Sequence, residues 1–297
     1  MKKRFTKKFL ILGVALLLTL SAIGTGTYAW FSMNRKVDAS GMTLDTTAPT
    51  NMLISVDPTV DSNWKNGITF VVISPTEYMP SSSTNGKDFF AITSSDGIEE
   101  TGGTIDELNR TVVQLAKVDR YDEDNTYYTE FALYIKAGLQ PDIASNLELA
   151  LRSFTVTETE HHLEKTVRVS VCTVDPYESA VTEGNTGKVT INQDGTVEDS
   201  EGHTLTQSTP IIYKYDTTTE VSPIASLSGG NTGTATLGED NAIAAGTNQK
   251  CFEVDYTAEY YTTIIVRIWF EGQHEDCINE ATNENVNVTL NWRVLED

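Results

Sequence analysis

The sequence predicts an all-β fold, a sandwich or barrel, and three observations predict it. Apolar residues recur with period two over most of the chain, turn signals separate these runs, and helical periodicity is nearly absent.

The first 29 residues stand apart. Lys2, Lys3, Arg4, Lys7 and Lys8 precede an apolar run from Phe9 to Ile23, and small residues then lead to Ala29. Charge, apolar run and small residues in that order read as a secretory signal peptide, in helical form, cut between Ala29 and Trp30. The run falls short of the roughly 18 to 20 residues that span a bilayer. The expected organisation is a signal at 1–29 and one β domain at 30–297, with insertions at about 178–208 and 222–247. Contact with the membrane is expected only through the uncleaved signal.

Early strands are expected at Met42–Thr47, Met52–Val56, Ile68–Ile73 and Phe89–Ile92. Pro80–Gly86 reads as a Ser-rich loop. Ile105 to Val118 fits a helix or a strand with a lead-in. Phe131, Leu133 and Ile135 then share one face. Leu147, Leu149 and Leu151 do the same, but Phe154 and Val156 switch parity, which predicts a bulge near Arg152-Ser153. Val167, Val169 and Val171 alternate with Arg168, Ser170 and Cys172.

Lys188–Ile191 and Thr196–Glu198 flank Asn192-Gln-Asp-Gly195, a hairpin signal. The surrounding stretch, 178–208, reads as an exposed excursion. Pro210–Tyr215 and Cys251–Tyr256 are further strands, and Ser222–Thr247 between them reads as a flexible surface loop. Ile264 to Phe270 is largely apolar on both faces, so a central strand is expected there. His274 to Ala281 fits one short helix. Val286, Val288, Leu290, Trp292 and Val294 close the chain with clean alternation.

Charge bounds the partners. The chain carries 21 Lys and Arg against 42 Asp and Glu, for a net charge of −21; removal of the signal's five basic residues and no acid takes it to −26. Such a surface repels nucleic-acid phosphates and anionic lipid. It could attract Ca²⁺, but diffuse charge is not a site, and no cofactor is expected. Three cysteines, Cys172, Cys251 and Cys277, leave at least one free or paired between chains.

The chemistry-bearing clusters read as structural. His161-His162, among Glu158, Glu160 and Glu164, lacks the i, i+4 histidine spacing of a catalytic zinc helix. Asp122-Glu-Asp-Asn125 lacks the six to eight convergent oxygens of a calcium site. Cys277 has His274 nearby with Glu271, Glu275 and Asp276, but no oxyanion donor motif accompanies them. Gly229-Gly230 does not lead from a strand into a helix, so a phosphate loop is unsupported. No enzyme activity is expected, no metal site and no catalytic residue.

Tyr28-Ala-Trp-Phe-Ser-Met-Asn34, then Val37, Gly41-Met42 and Asn51-Met-Leu-Ile-Ser55, resemble exported Gram-positive proteins processed by the SipW-type signal peptidase, the TasA and camelysin biofilm-matrix family. Thr129–Ala137, Leu147-Glu-Leu149, Val167–Val171 and Val266–Gly272 with Asp276-Cys277 look like a clostridial-type branch of it. The resemblance covers about half the chain, and the insertions match neither. It implies a jelly-roll-like antiparallel sandwich and a secreted, cell-surface or matrix location. It also implies assembly with copies of itself or related matrix subunits by N-terminal strand donation, with Trp30, Phe31 and Val37 as the donor residues. Camelysin's description as a metalloprotease makes a metal-dependent hydrolase one rival. A monomeric adhesin or ligand-binding module using the long insertions is the other.

Overall fold

A computed structural model describes residues 39–47, 52–72, 78–92, 115–121, 126–138, 146–157, 163–175, 186–215, 224–227, 232–233, 235–237, 240–247, 249–255, 260–272, 274, 277 and 284–295. Among these the regular structure is strand, joined by turns and loops, with two short 3₁₀ turns at Asp61–Asn63 and Leu163–Lys165.

The strands in chain order are β1 (Ala39–Thr47), β2 (Met52–Ser55), β3 (Gly67–Val72), β4 (Phe89–Ile92), β5 (Leu115–Val118), β6 (Thr129–Ala137), β7 (Leu147–Thr157) and β8 (Val167–Asp175). They continue with β9 (Thr190–Ile191), β10 (Val197–Glu198), β11 (Thr206–Gln207), β12 (Ile211–Lys214), β13 (Ile224–Leu227) and β14 (Thr232–Gly233). The last are β15 (Ala235–Leu237), β16 (Ile243–Ala244), β17 (Phe252–Val254), β18 (Thr262–Phe270) and β19 (Glu284–Val294).

Two sheets share one hydrophobic core. The smaller has five strands in the order β17-β7-β19-β1-β3; the larger runs β16-β12-β8-β18-β6-β2, with β11 beside β8. Leu149, Leu151, Phe252, Val288, Leu290 and Trp292 of the first meet Leu133, Ile135, Val169, Val171, Ile264, Val266 and Ile268 of the second. Period-two alternation places these side chains on the inner faces, and their burial drives the two sheets together.

Pairing is not purely antiparallel. β1 runs parallel to β19, with Gly41–Thr47 opposite Asn285–Asn291, and β12 runs parallel to β16. The expected all-antiparallel sheet therefore becomes mixed. The reason is that the first described strand enters the sheet beside the last described one and in the same direction, while pairing antiparallel with β3 on its other side.

The predicted bulge is present. Asn291 of β19 faces Ser153, and the next residue, Trp292, faces Leu151, so Arg152 is the extra residue of β7. Gly246 covers it, donating its N–H to Leu151 O at 2.9 Å. Its φ is +87°, and a Cβ there would lie 3.2 Å from Arg152 O, so the turn requires glycine.

Both insertions pack more closely than their composition suggests. The hairpin of β9 and β10 has its turn at Asn192–Gly195, and the 186–208 segment lies on the outer face of the large sheet. Val189, Val197 and Leu205 are buried there against Tyr134, Cys172, Val174 and Ile265. Burial of each such side chain is worth about 1.5–3 kcal/mol, enough to hold the hairpin down. In the second insertion β14 pairs with β5, β16 pairs with β12, and Ala242 is buried beside Ile212 and Trp269.

The exposed excursion expected at 178–208 is thus a cover over its described residues, and the flexible loop expected at 222–247 is strand-rich. Ser81, Ser82 and Ser83 of the expected Ser-rich loop are buried. Of Ile105–Val118, the described part, β5, is a strand.

Candidate functional site

β8 and β18 alternate, yet both faces of each are buried. Their core faces carry Val167, Val169, Val171, Ile264, Val266, Ile268 and Phe270. The outer faces carry Arg168, Ser170, Arg267 and Trp269, which the segment through Gly86 and Phe89 and the insertions seal from water. A buried charge is costly unless paired and hydrogen-bonded, so each must find partners.

Arg267 finds five. Its Nε donates to Glu130 Oε2 at 2.9 Å, Nη1 to Gly86 O at 3.4 Å and Cys172 Sγ at 3.7 Å, and Nη2 to Gln207 Oε1 at 2.7 Å and Gly195 O at 3.3 Å. Gly86 belongs to the loop before β4, Gly195 to the hairpin turn and Gln207 to β11. One guanidinium therefore fastens three segments to the sheet, as its rigid fork of donors suits it to do. Glu130 Oε1 lies 3.8 Å from Arg120 Nη1. Burial is the largest influence on Glu130 and raises its carboxyl above the usual range, against the pull of Arg267 and Arg120.

A second cluster sits one strand over. Lys214 Nζ of β12 lies 3.0 Å from Asp240 Oδ2, and Arg168 Nη2 lies 3.9 Å from the same oxygen. Asp240 Oδ1 accepts the Ala242 N–H at 3.0 Å. All three charged side chains are buried.

The third cluster is the corner after β18. Glu271 accepts from the Ser82 hydroxyl and, at 3.2 Å, from Trp269 Nε1. His274 N donates to Glu271 O and Cys277 N to His274 O, both at 3.0 Å; of the short helix expected at His274–Ala281, His274 and Cys277 alone are described. Cys277 is fully enclosed; burial, then the nearby Glu271, pushes its thiol well up. An activated nucleophile requires the reverse shift and an open approach.

Cys172 and Cys251 are raised as well, chiefly by burial, and all three cysteines are free thiols. Cys251 touches the Tyr213 hydroxyl. On the surface, Lys188 Nζ meets Asp57 Oδ2 at 2.8 Å, joining the start of the hairpin to the turn after β2.

Several sequence candidates lie outside the described residues: the signal 1–29 with its cut at Ala29 and Trp30, the donor residues Trp30, Phe31 and Val37, Asp122–Asn125, His161-His162, Gly229-Gly230, Glu275 and Asp276. Among the described residues no three His, Cys, Asp or Glu side chains converge as a metal would require, and no helix is long and apolar enough to cross a membrane. Sequence reasoning singled out none of Glu130, Arg267, Lys214 and Asp240. The available signal was the charge placed inside the apolar runs at Arg168 and Arg267.

What these clusters can do chemically is anchor. No family model matches the chain, and no curated protein or solved structure does.

Proposed function

We propose that this is a secreted structural protein of the bacterial cell surface or biofilm matrix, a jelly-roll-like sandwich that joins copies of itself or related subunits by strand addition. The observation that carries this reading is the position of β1. The first described strand pairs parallel with the last strand of the chain and antiparallel with β3, whose other edge has no partner strand among the described residues.

A strand that enters a sheet from the chain terminus needs no fixed connection on its leading side. In this reading Trp30, Phe31 and Val37, ahead of it in sequence, pair with the sheet of another molecule. Strand addition supplies main-chain hydrogen bonds and side-chain pockets together, and covers an edge that would otherwise pair without control. Repeated head to tail, such a contact propagates as a filament unless it closes. The acidic surface keeps unassembled subunits apart, and the sealed outer face of the large sheet suits a rigid building block better than a substrate site. The chain reaches the exterior through a signal removed after Ala29.

The test is negative-stain microscopy of the processed chain with and without residues 30–38, a deletion that stops short of β1. Filaments from the complete form and dispersed particles from the shortened one are expected. Equal behaviour of the two would remove strand donation from the account.

A further inference from the structure

Lys214 and Asp240 are placed for a reaction as well as for a contact. Lys214 ends β12 inside the large sheet, and Asp240 precedes β16 in the second insertion, 26 residues away in sequence. Nζ lies 3.0 Å from Oδ2, and the two side chains are only 8% and 6% exposed. Oδ1 already accepts the Ala242 N–H at 3.0 Å. Arg168 Nη2, on a side chain 2% exposed, lies 3.9 Å from Oδ2.

We propose that Lys214 and Asp240 condense into an intramolecular amide bond that covalently ties the 222–247 insertion to the sheet. A bond forms between Nζ and Cγ, and the bond from Cγ to Oδ2 breaks. Of the three hydrogens on the ammonium group, one stays as the amide N–H and two leave with Oδ2 as water. The ion pair supplies every atom and every proton, nothing is oxidised or reduced, and no co-reactant enters.

Four features drive the step. The reacting groups are held in contact inside a rigid frame, which replaces an encounter in solution by a very high effective concentration. Both groups are shielded from water, where two charges are costly and a neutral amide is not. The Ala242 N–H points at Oδ1, the oxygen that gains negative charge when Nζ adds to Cγ, and a fixed donor there lowers that barrier. The Arg168 guanidinium stands beside the departing Oδ2. Once formed, the bond restricts the unfolded chain as a disulfide does, in a protein whose described cysteines form none.

Trypsin reads the outcome directly. Between residues 189 and 250 the only Lys or Arg before the final Lys250 is Lys214. With Nζ acylated, trypsin passes Lys214, and the denatured wild-type protein yields one internally looped peptide, 189–250, lighter by one water than its sequence requires. Two peptides at full mass, 189–214 and 215–250, would overturn the proposal. Lys214→Arg keeps the cation but cannot form this bond, so its digest must give the two separate peptides. A water loss that persists in Lys214→Arg would place the missing water elsewhere and equally overturn it.

Discussion

Trp292 Nε1 donates to Thr46 Oγ1 at 3.1 Å, a buried bond from the last strand of the sheet to the first. Main-chain pairing sets the register of β1 against β19, and this side-chain bond reports on it from inside the core. Thr46→Val keeps the shape and leaves the indole N–H without that acceptor. The expected loss is about 1–3 kcal/mol in a urea unfolding curve, with earlier hydrogen exchange across β1. An unchanged midpoint would show that β1 is held by its main chain alone.

At the bulge, Gly246 combines a positive φ with a tight approach to Arg152 O. Gly246→Ala should cost about 1 kcal/mol or more. Gly187 has φ +69° but open space around it, so Gly187→Ala carries the backbone strain alone and should cost less. Thermal unfolding of the two variants side by side checks the order.

Glu130→Ala strips Arg267 of its charged partner in a site closed to water, where such a loss costs about 3–5 kcal/mol. The double variant Glu130→Leu with Arg267→Met removes both charges and should recover a large part of the loss. Arg267→Met alone should also loosen the hairpin, because Gly195 and Gln207 lose the same donor. Hydrogen exchange over 186–208 reads that loosening.

Asp57 gives the clearest pH dependence. The Lys188 ammonium, followed by the Thr59 hydroxyl and N–H, holds its carboxyl at about 2. A carboxyl depressed in the folded chain contributes stability above its unfolded value, and that contribution is lost as pH falls through the folded one. The window therefore runs from the ordinary carboxylate range down to about 2. In Lys188→Ala the Asp57 midpoint should rise toward the ordinary value, measured by an NMR pH titration. The hairpin's tie to the turn after β2 should weaken with it.

Elements whose pattern is local were legible before any coordinates. β18, largely apolar on both faces, is central; the parity switch in β7 marks the bulge at Arg152; Asn192–Gly195 makes the hairpin turn. What the pattern misreads is the outer face of the large sheet. Arg168 and Ser170 alternate with valines as a solvated face would, and the packing of the segment before β4 and of the insertions encloses them. Ser81 and Ser82 are buried for the same reason, because their hydroxyls donate to Tyr127 O and to Glu271, far along the chain. Partners this distant in sequence leave no period to read. Parallel pairing of β1 with β19 is a long-range choice of the same kind.

The central claim is that one molecule's N-terminal residues pair with another's sheet. Thr69 lies exposed on β3, at the end of the smaller sheet. Oxidative cross-linking of the processed chain carrying Phe31→Cys and Thr69→Cys tests the contact directly, with each single variant as control. The account predicts a ladder of covalent multimers on a reducing-sensitive gel, seen only when both cysteines are present. Monomer alone, at concentrations where the unmodified chain forms filaments, would contradict it.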